Sequence, residues 1–172
     1  MSSRVVLHAG PAVGFDQPFD MLAACHERVR RSLDLLLRLH AHVQQHGVDA
    51  QARDAAADVL RYFDRAGPAH HEDEERHVLP RLRAAGLPAL ADRLHAEHGE
   101  MAVLWAGLRE PLAAWSSGGA AELDADLMRR YATLYDAHLA LEDGQAFPTA
   151  GHGLAPQDLA VMGAEMAARR QR

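Results

Sequence analysis

Between Pro18 and His46 the positions Leu22, His26, Val29, Leu33, Leu36, His40 and Val43 recur by threes and fours. That spacing lays one stripe of an α-helix against a core, and His26 lies inside the stripe. Gly47 ends this helix, and Asp49 is placed to cap a second one from about Ala50. The second helix carries Val59, Leu60 and Phe63 before Gly67-Pro68, where proline removes a backbone donor and crowds the carbonyl four residues back. A kink or brief break is predicted there, with the helix resuming at His70 and ending at Pro80 and Gly86. A third helix from Pro88 shows Leu94, His98, Met101, Leu104, Trp105 and Leu108 on one face and runs to about Trp115, its last turns bent by Pro111. After the loop Ser116-Ser117-Gly118-Gly119, a fourth carries Leu123, Leu127, Tyr131, Leu134, His138 and Leu141 and ends near Pro148. Residues 149–156 read as a loop, and Pro156 to about Arg170 as a short fifth helix edged by Leu159, Met162 and Met166.

Gly10, Pro11, Gly14 and Pro18 make residues 1–19 an arm, pinned to the rest by Phe15 and Phe19. The expected fold is an all-α antiparallel four-helix bundle with an amino-terminal arm and a short carboxy-terminal helix. It forms one domain over 1–172, its core at about 20–148 and residues 149–172 adding the loop and last helix.

Composition narrows the function. A chain of 172 residues, 48% hydrophobic, can bury one core without disulfides, and Cys25 alone can form no intrachain bridge. A reducing, cytoplasmic setting is expected. The longest apolar run in the first 20 residues, Val5-Val6-Leu7, is too short for a signal-peptide core or a membrane span. The net charge of −6, with no cluster of basic residues, argues against nucleic acid. All 18 basic residues are Arg, a bias that carries no functional meaning here. The 12 histidines gain meaning only through their spacing.

That spacing repeats. His70-x3-Glu74 with Pro80 reappears as His138-x3-Glu142 with Pro148, and each pair puts an imidazole and a carboxylate about 6 Å apart along one helix face. His26 and His98 sit where a repeat of the preceding helix would place them, at an offset of 72 against 68 for His70 and His138. A lone core histidine is more often a hydrogen-bonded packing residue than a ligand, and a lone His-x3-Glu is more often a surface pair. Four core-stripe histidines, one per long helix, with a glutamate one turn beyond two of them, outweigh those readings. Buried together without compensating charge they would be destabilising; two cations remove that cost. Mixed imidazole and carboxylate donors suit iron, manganese or zinc, and the absence of ligand cysteines disfavours a structural zinc site. Six side chains do not fill two six-coordinate spheres, so positions remain for small molecules.

The arrangement resembles the hemerythrin-like HHE cation-binding family over about residues 20–148, on the strength of His26, His70-x3-Glu74, Glu97-His98, His138-x3-Glu142, Pro80 and Pro148. The resemblance implies an up-down-up-down bundle around an oxo- or hydroxo-bridged di-iron centre held by His26, His70, Glu74, His98, His138 and Glu142. Oxygen-carrying members have a further His where this chain has Leu94, and an Asp five residues after the last ligand His where this chain has Glu142 after four. The set is closer to relatives with peroxide- or nitric-oxide-linked chemistry and to iron-centre repair proteins, though the repair proteins' amino-terminal cysteine pair is absent.

The expected function is therefore a di-iron protein that binds and reacts with or senses O2, peroxide or nitric oxide, with weak catalase-like peroxide decomposition. An iron-donor, repair or sensing module, a reversible oxygen carrier and a metal-free scaffold are the alternatives. The expected partner is a small diatomic or peroxide ligand, with neither nucleic acid nor membrane, and a homodimer stays open. Among other residues, His95 ranks as the leading spare ligand, and His71 and His77 as neighbours of the site or surface residues. His40 and His46 lie too far along their helix, and His8 and His152 read as exposed. Tyr135 and Trp105 read first as core, with Tyr135 alternatively a redox or hydrogen-bonding neighbour of a bound small molecule. Glu75 and Asp143 read as solvated or as acceptors for ligand imidazoles.

Overall fold

The computed structural model describes residues 14–171, and all regular structure among them is helical. In chain order the elements are α1 (Pro18–His46), α2 (Ala50–Arg61), a π-helical turn π1 (Tyr62–Ala66), α3 (Gly67–His77), α4 (Leu79–Ala84) and α5 (Pro88–Ser116). They are followed by α6 (Ala125–Leu141), a second π turn π2 (Glu142–Ala146), α7 (Phe147–Gly151) and α8 (Pro156–Arg169). Segments α2 to α4 make the second rod of the bundle, and α6 to α7 the fourth. The first rod packs on the second and fourth, and α5 packs on the same two, giving the four-helix bundle expected. No described helix is long and apolar enough to cross a membrane.

Local signals explain the ends. Gly47, at φ 74°, closes α1 with its N–H on the Val43 carbonyl. The Asp49 carboxylate accepts from Ala52 N at 2.8 Å and starts α2. Asp124 does the same for α6, accepting from the Asp126 and Leu127 amides, so Leu123 is buried just before that helix and not in it.

Pro80 and Pro148 act differently from expectation, whereas the kink expected at Gly67-Pro68 is present. At Gly67-Pro68 the expected kink takes the form of π1: the Gly67 N–H reaches back to Tyr62 O, a wider turn that gives the Pro68 ring room. Pro80 does not end its rod. It lies in the first turn of α4, where its missing N–H costs nothing, after a one-residue break at Val78. Pro148 likewise falls in the first turn of α7 after π2, so the fourth rod continues to Gly151 and the expected loop shrinks to residues 152–155. Pro111 does not interrupt α5, which is helical to Ser116.

The apolar core has two parts. One holds Val29, Leu36, Val59, Phe63, Met101, Leu108, Trp115, Tyr131 and Tyr135; the other holds Leu22, Cys25, Val78, Leu94, Phe147, Met162 and Met166. On every rod the polar buried residues fall between these two sets: His26 after Cys25, His70 and Glu74 between Phe63 and Val78, His98 between Leu94 and Met101, His138 and Glu142 between Tyr135 and Phe147. A polar layer thus crosses the bundle with dry packing on both sides.

Helix α8 leans on α1 and α3 and is tied down by Arg169 and Arg170, whose guanidinium nitrogens lie 3.3 and 2.7 Å from the Asp73 carboxylate oxygens. The expected pinning of the arm holds for its described part. Phe15 lies under the Arg170 guanidinium at 5.3 Å, and Phe19 meets Phe147 edge-on. The rest of the arm, residues 1–13 with His8, lies outside the described residues. Gly163 makes this seat, because a Cβ there would fall 1.7 Å from the Phe15 carbonyl oxygen. Gly163→Ala is expected to lower stability by about 1–3 kcal/mol, as overpacking against backbone does. A thermal melt checks this, and bound metal should stay at the wild-type level.

Candidate metal centre

All six sequence-derived candidates converge. His26, His70, Glu74 and Glu142 each offer one donor atom within 4.8 Å of the others, and so do Glu74, His98, His138 and Glu142. Both groups share the two glutamates. Glu74 lies 2.9 Å from His70 Nε2 and 3.9 Å from His26 Nε2 through Oε1, and 3.3 Å from His98 Nε2 through Oε2. Glu142 lies 3.2 Å from His26 Nε2 through Oε2 and 3.2 Å from His138 Nε2 through Oε1. All six side chains are at most 5% exposed.

These short separations are not hydrogen bonds. His26 Nε2, His70 Nε2 and all four oxygens of Glu74 and Glu142 have no hydrogen-bond partner of acceptable geometry, although the donor atoms of each group lie within 4.8 Å of one another. Buried polar atoms are costly when unpaired, and this many together need a shared counterpart. Nitrogen and oxygen donors aimed at shared points fit cations.

The far sides of the rings are held by a second set of carboxylates. His26 Nδ1 donates to Asp143 at 2.8 Å, His98 Nδ1 to Glu75 at 3.1 Å, and His138 Nδ1 to Glu97 at 2.7 Å. Such partners fix the ring orientation and turn each Nε2 toward the centre, where those of His98 and His138 lie 3.2 Å apart. Arg30 and Arg93 in turn hold Asp143 and Glu97 from the surface. The acceptor roles of Glu75 and Asp143 agree with the sequence reading, but that of Glu97 was not foreseen. It stands one residue before His98, turned about 100° toward α6, so its own spacing to His138 carries no signal. His70 differs from the other three. Its Nδ1 has no hydrogen-bond partner, and the Cys25 thiol lies beside the ring.

The remaining histidines separate clearly. His95, the expected spare ligand, is instead exposed and bonds Glu75 at 3.1 Å. His77 pairs with Glu165 on α8. His42 pairs with Asp49 and stacks near His46, at the far end of α1. His71 lies flat on His98, with ring centres 4.2 Å apart. Leu94 is fully buried among apolar neighbours, so no donor exists at that place.

Charge follows from the same geometry. Burial alone would push the His26 imidazole down, but the Glu142 and Glu74 carboxylates outweigh it and hold it up at about 9. Burial also opposes charge on His70 and His138, yet Glu74 and Glu142 raise both. Glu74 is held far below the usual carboxylate range by His70, His26 and His98 against the effect of burial. His71 is pushed well down by burial and by the nearby His98, and is neutral.

Without metal, therefore, protons balance the carboxylates. A raised imidazole stabilises the fold fully below its unfolded value near 6.5, and this contribution is lost as pH rises through about 9. Metal-free protein is expected to melt at progressively lower temperature from pH 6.5 to 9, while metal uptake strengthens over the same window because it displaces those protons. Melts against pH and proton release on metal addition measure the two effects; metal affinity independent of pH would contradict this account.

The fold and this donor set define a four-helix-bundle metal-binding protein. The hemerythrin HHE cation binding domain matches residues 17–150, and the chain belongs to that family. It is also 33% identical over 159 residues to an uncharacterized protein of Haemophilus influenzae, covering 91% of this chain and 92% of that one.

Proposed function

We propose that this chain is a non-heme di-iron protein that reacts with or senses O2, peroxide or nitric oxide, with slow decomposition of peroxide. The observation that carries the reading is the sharing of Glu74 and Glu142 between two donor groups, the arrangement two bridged cations require. The donors are imidazole and carboxylate alone, which suits iron, with manganese or zinc able to substitute. When bound, such ions supply redox equivalents and open coordination positions for a small molecule.

The chain's own residues do the rest. Glu74 and Glu142 would be shared between the two ions, the imidazoles of His26, His98 and His138 are oriented by Asp143, Glu75 and Glu97, and the apolar sets on both sides limit water. Leu94 supplies methyl groups where oxygen carriers place an imidazole, so the chain would offer a bound ion one donor fewer there. That favours reaction over reversible storage. The single buried, unbridged Cys25 suits a cytoplasmic, reducing setting.

The test is anaerobic iron loading followed by exposure to O2 and then to peroxide, with absorption spectra at each step. Two irons per chain, oxidation without a long-lived oxygen adduct, and slow peroxide loss are expected. Saturation at one iron defeats the binuclear reading. An oxygen spectrum that reverses under argon would make the protein a carrier, and an inert oxidised centre that hands iron to an acceptor would make it a donor.

A further inference from the structure

A cleft of about 430 Å³ opens beside His98, and one of its walls is a continuous run of rings. His71 stacks on His98 at 4.2 Å and 11°, Tyr135 follows at 5.9 Å and 25°, Tyr131 at 5.0 Å edge-on, and Trp105 at 6.0 Å and 27°. The run starts on a metal-site imidazole and ends at Trp105, which is 9% exposed and donates its indole N–H to Asp64 at the surface. The chain has only three Tyr and two Trp, and three of these five line this one cleft. Ring centres at these separations are in direct contact. Apart from this wall the cleft is lined mainly by apolar groups, with the Glu72 and Glu75 carboxylates as its acidic groups and His95 beside Glu75. Its size is that of a small-molecule site, larger than a diatomic gas or peroxide needs.

We propose that the cleft binds a small neutral or cationic phenol, and that the stacked wall passes oxidising equivalents to it one at a time from the metal centre, making the protein a peroxidase. The proposal rests on the reading of the centre as a peroxide-reactive di-iron site. The balance is one hydrogen peroxide and two phenols giving two water molecules and two phenoxyl radicals. The O–O bond breaks, its oxygens take two electrons and two protons, and each phenol gives up one electron and its hydroxyl proton. Among the described residues no arginine lines the cleft to hold an anionic donor, and its carboxylates, Glu72 paired with Arg76 and Arg169 and Glu75 accepting from His95 and His98, repel one. Tyr135 and Trp105 relay charge, and the phenol is the final electron donor.

The experiment uses iron-loaded full-length chain, hydrogen peroxide and three phenols that differ in charge: tyramine, guaiacol and 4-hydroxyphenylacetate. Tyramine and guaiacol should be oxidised and should accelerate peroxide loss, and 4-hydroxyphenylacetate should react at least tenfold more slowly. Tyr135→Phe and Trp105→Phe keep a ring in place but are hard to oxidise; each should cut phenol oxidation at least tenfold with iron content unchanged. Tyr62→Phe, off this wall, should not. Peptide mass spectrometry after peroxide treatment without phenol should find oxidation concentrated at Trp105 and Tyr131, suppressed when tyramine is present. Peroxide consumed with no phenol oxidation, or phenol oxidised equally by wild type and both wall variants, overturns this proposal and leaves the di-iron reading standing. Failure to consume peroxide under any condition overturns this proposal together with the peroxide-reactive part of the reading it rests on, and iron stoichiometry then decides the di-iron reading separately.

Discussion

Replacing Glu74 by Ala is expected to strip the protein of its metal. Its two oxygens face His70, His26 and His98 at 2.9, 3.9 and 3.3 Å, so the residue belongs to both donor groups and reaches three of the four imidazoles. Loss of an outer hydrogen-bond partner of a metal ligand typically weakens binding by roughly 10–100-fold. Removing a shared inner carboxylate should exceed that, because it deletes donors to both positions and leaves the cations without half of their directly bound negative charge. Glu142→Ala should behave alike. The matched controls are His77→Ala and His95→Ala, whose imidazoles bond Glu165 and Glu75 and do not face the centre. Elemental analysis after iron loading reads all four. Wild-type metal in Glu74→Ala, or loss of metal in His77→Ala, would show that the donor set is misassigned.

The second large effect is on stability and should leave the metal alone. Phe63, 2% exposed, is the hub at which Tyr62, Trp105, Tyr131 and Tyr135 meet, with ring centres 5.1 to 5.8 Å away. Phe63→Ala leaves a void that four stiff rings cannot collapse to fill, and such truncations cost about 3–5 kcal/mol. At roughly 2–4 °C per kcal/mol for a chain of this size, the melting temperature should fall by roughly 6–20 °C. No donor atom moves, so iron content should match wild type. A fall smaller than that range would mean the cluster repacks, and lost iron would mean that the aromatic core positions the polar layer directly.

Much of this was legible because two periodicities coincide. The three-and-four spacing that brings Leu22, Val29 and Leu33 to the core also brings His26 there, and the same holds for His98 between Leu94 and Met101. Residues four apart on a helix face one point whatever surrounds them, so both His-x3-Glu pairs could be read directly. What escaped depends on contacts between rods. Glu97 reaches His138 across the gap between α5 and α6, and His71 covers His98 although it is turned from His70 on its own helix. Prolines misled for a related reason. Pro148 follows His138 by ten residues as Pro80 follows His70, yet one strain is relieved by a π turn and the other by a break at Val78.

The carboxylates behind the rings also bear on the energy of changing oxidation state. Glu74 and Glu142 in front, with Asp143, Glu75 and Glu97 behind, make two plus three, or five, negative charges within contact of the four imidazoles. Arg30 and Arg93 pair with Asp143 and Glu97, so two of the five charges are already balanced and three remain. Two divalent ions would leave the assembly at plus one and two trivalent ions at plus three, so the reduced level would lie closer to electroneutrality. The outer carboxylates and their arginines are partly exposed, so solvent would share in screening the charge that oxidation adds.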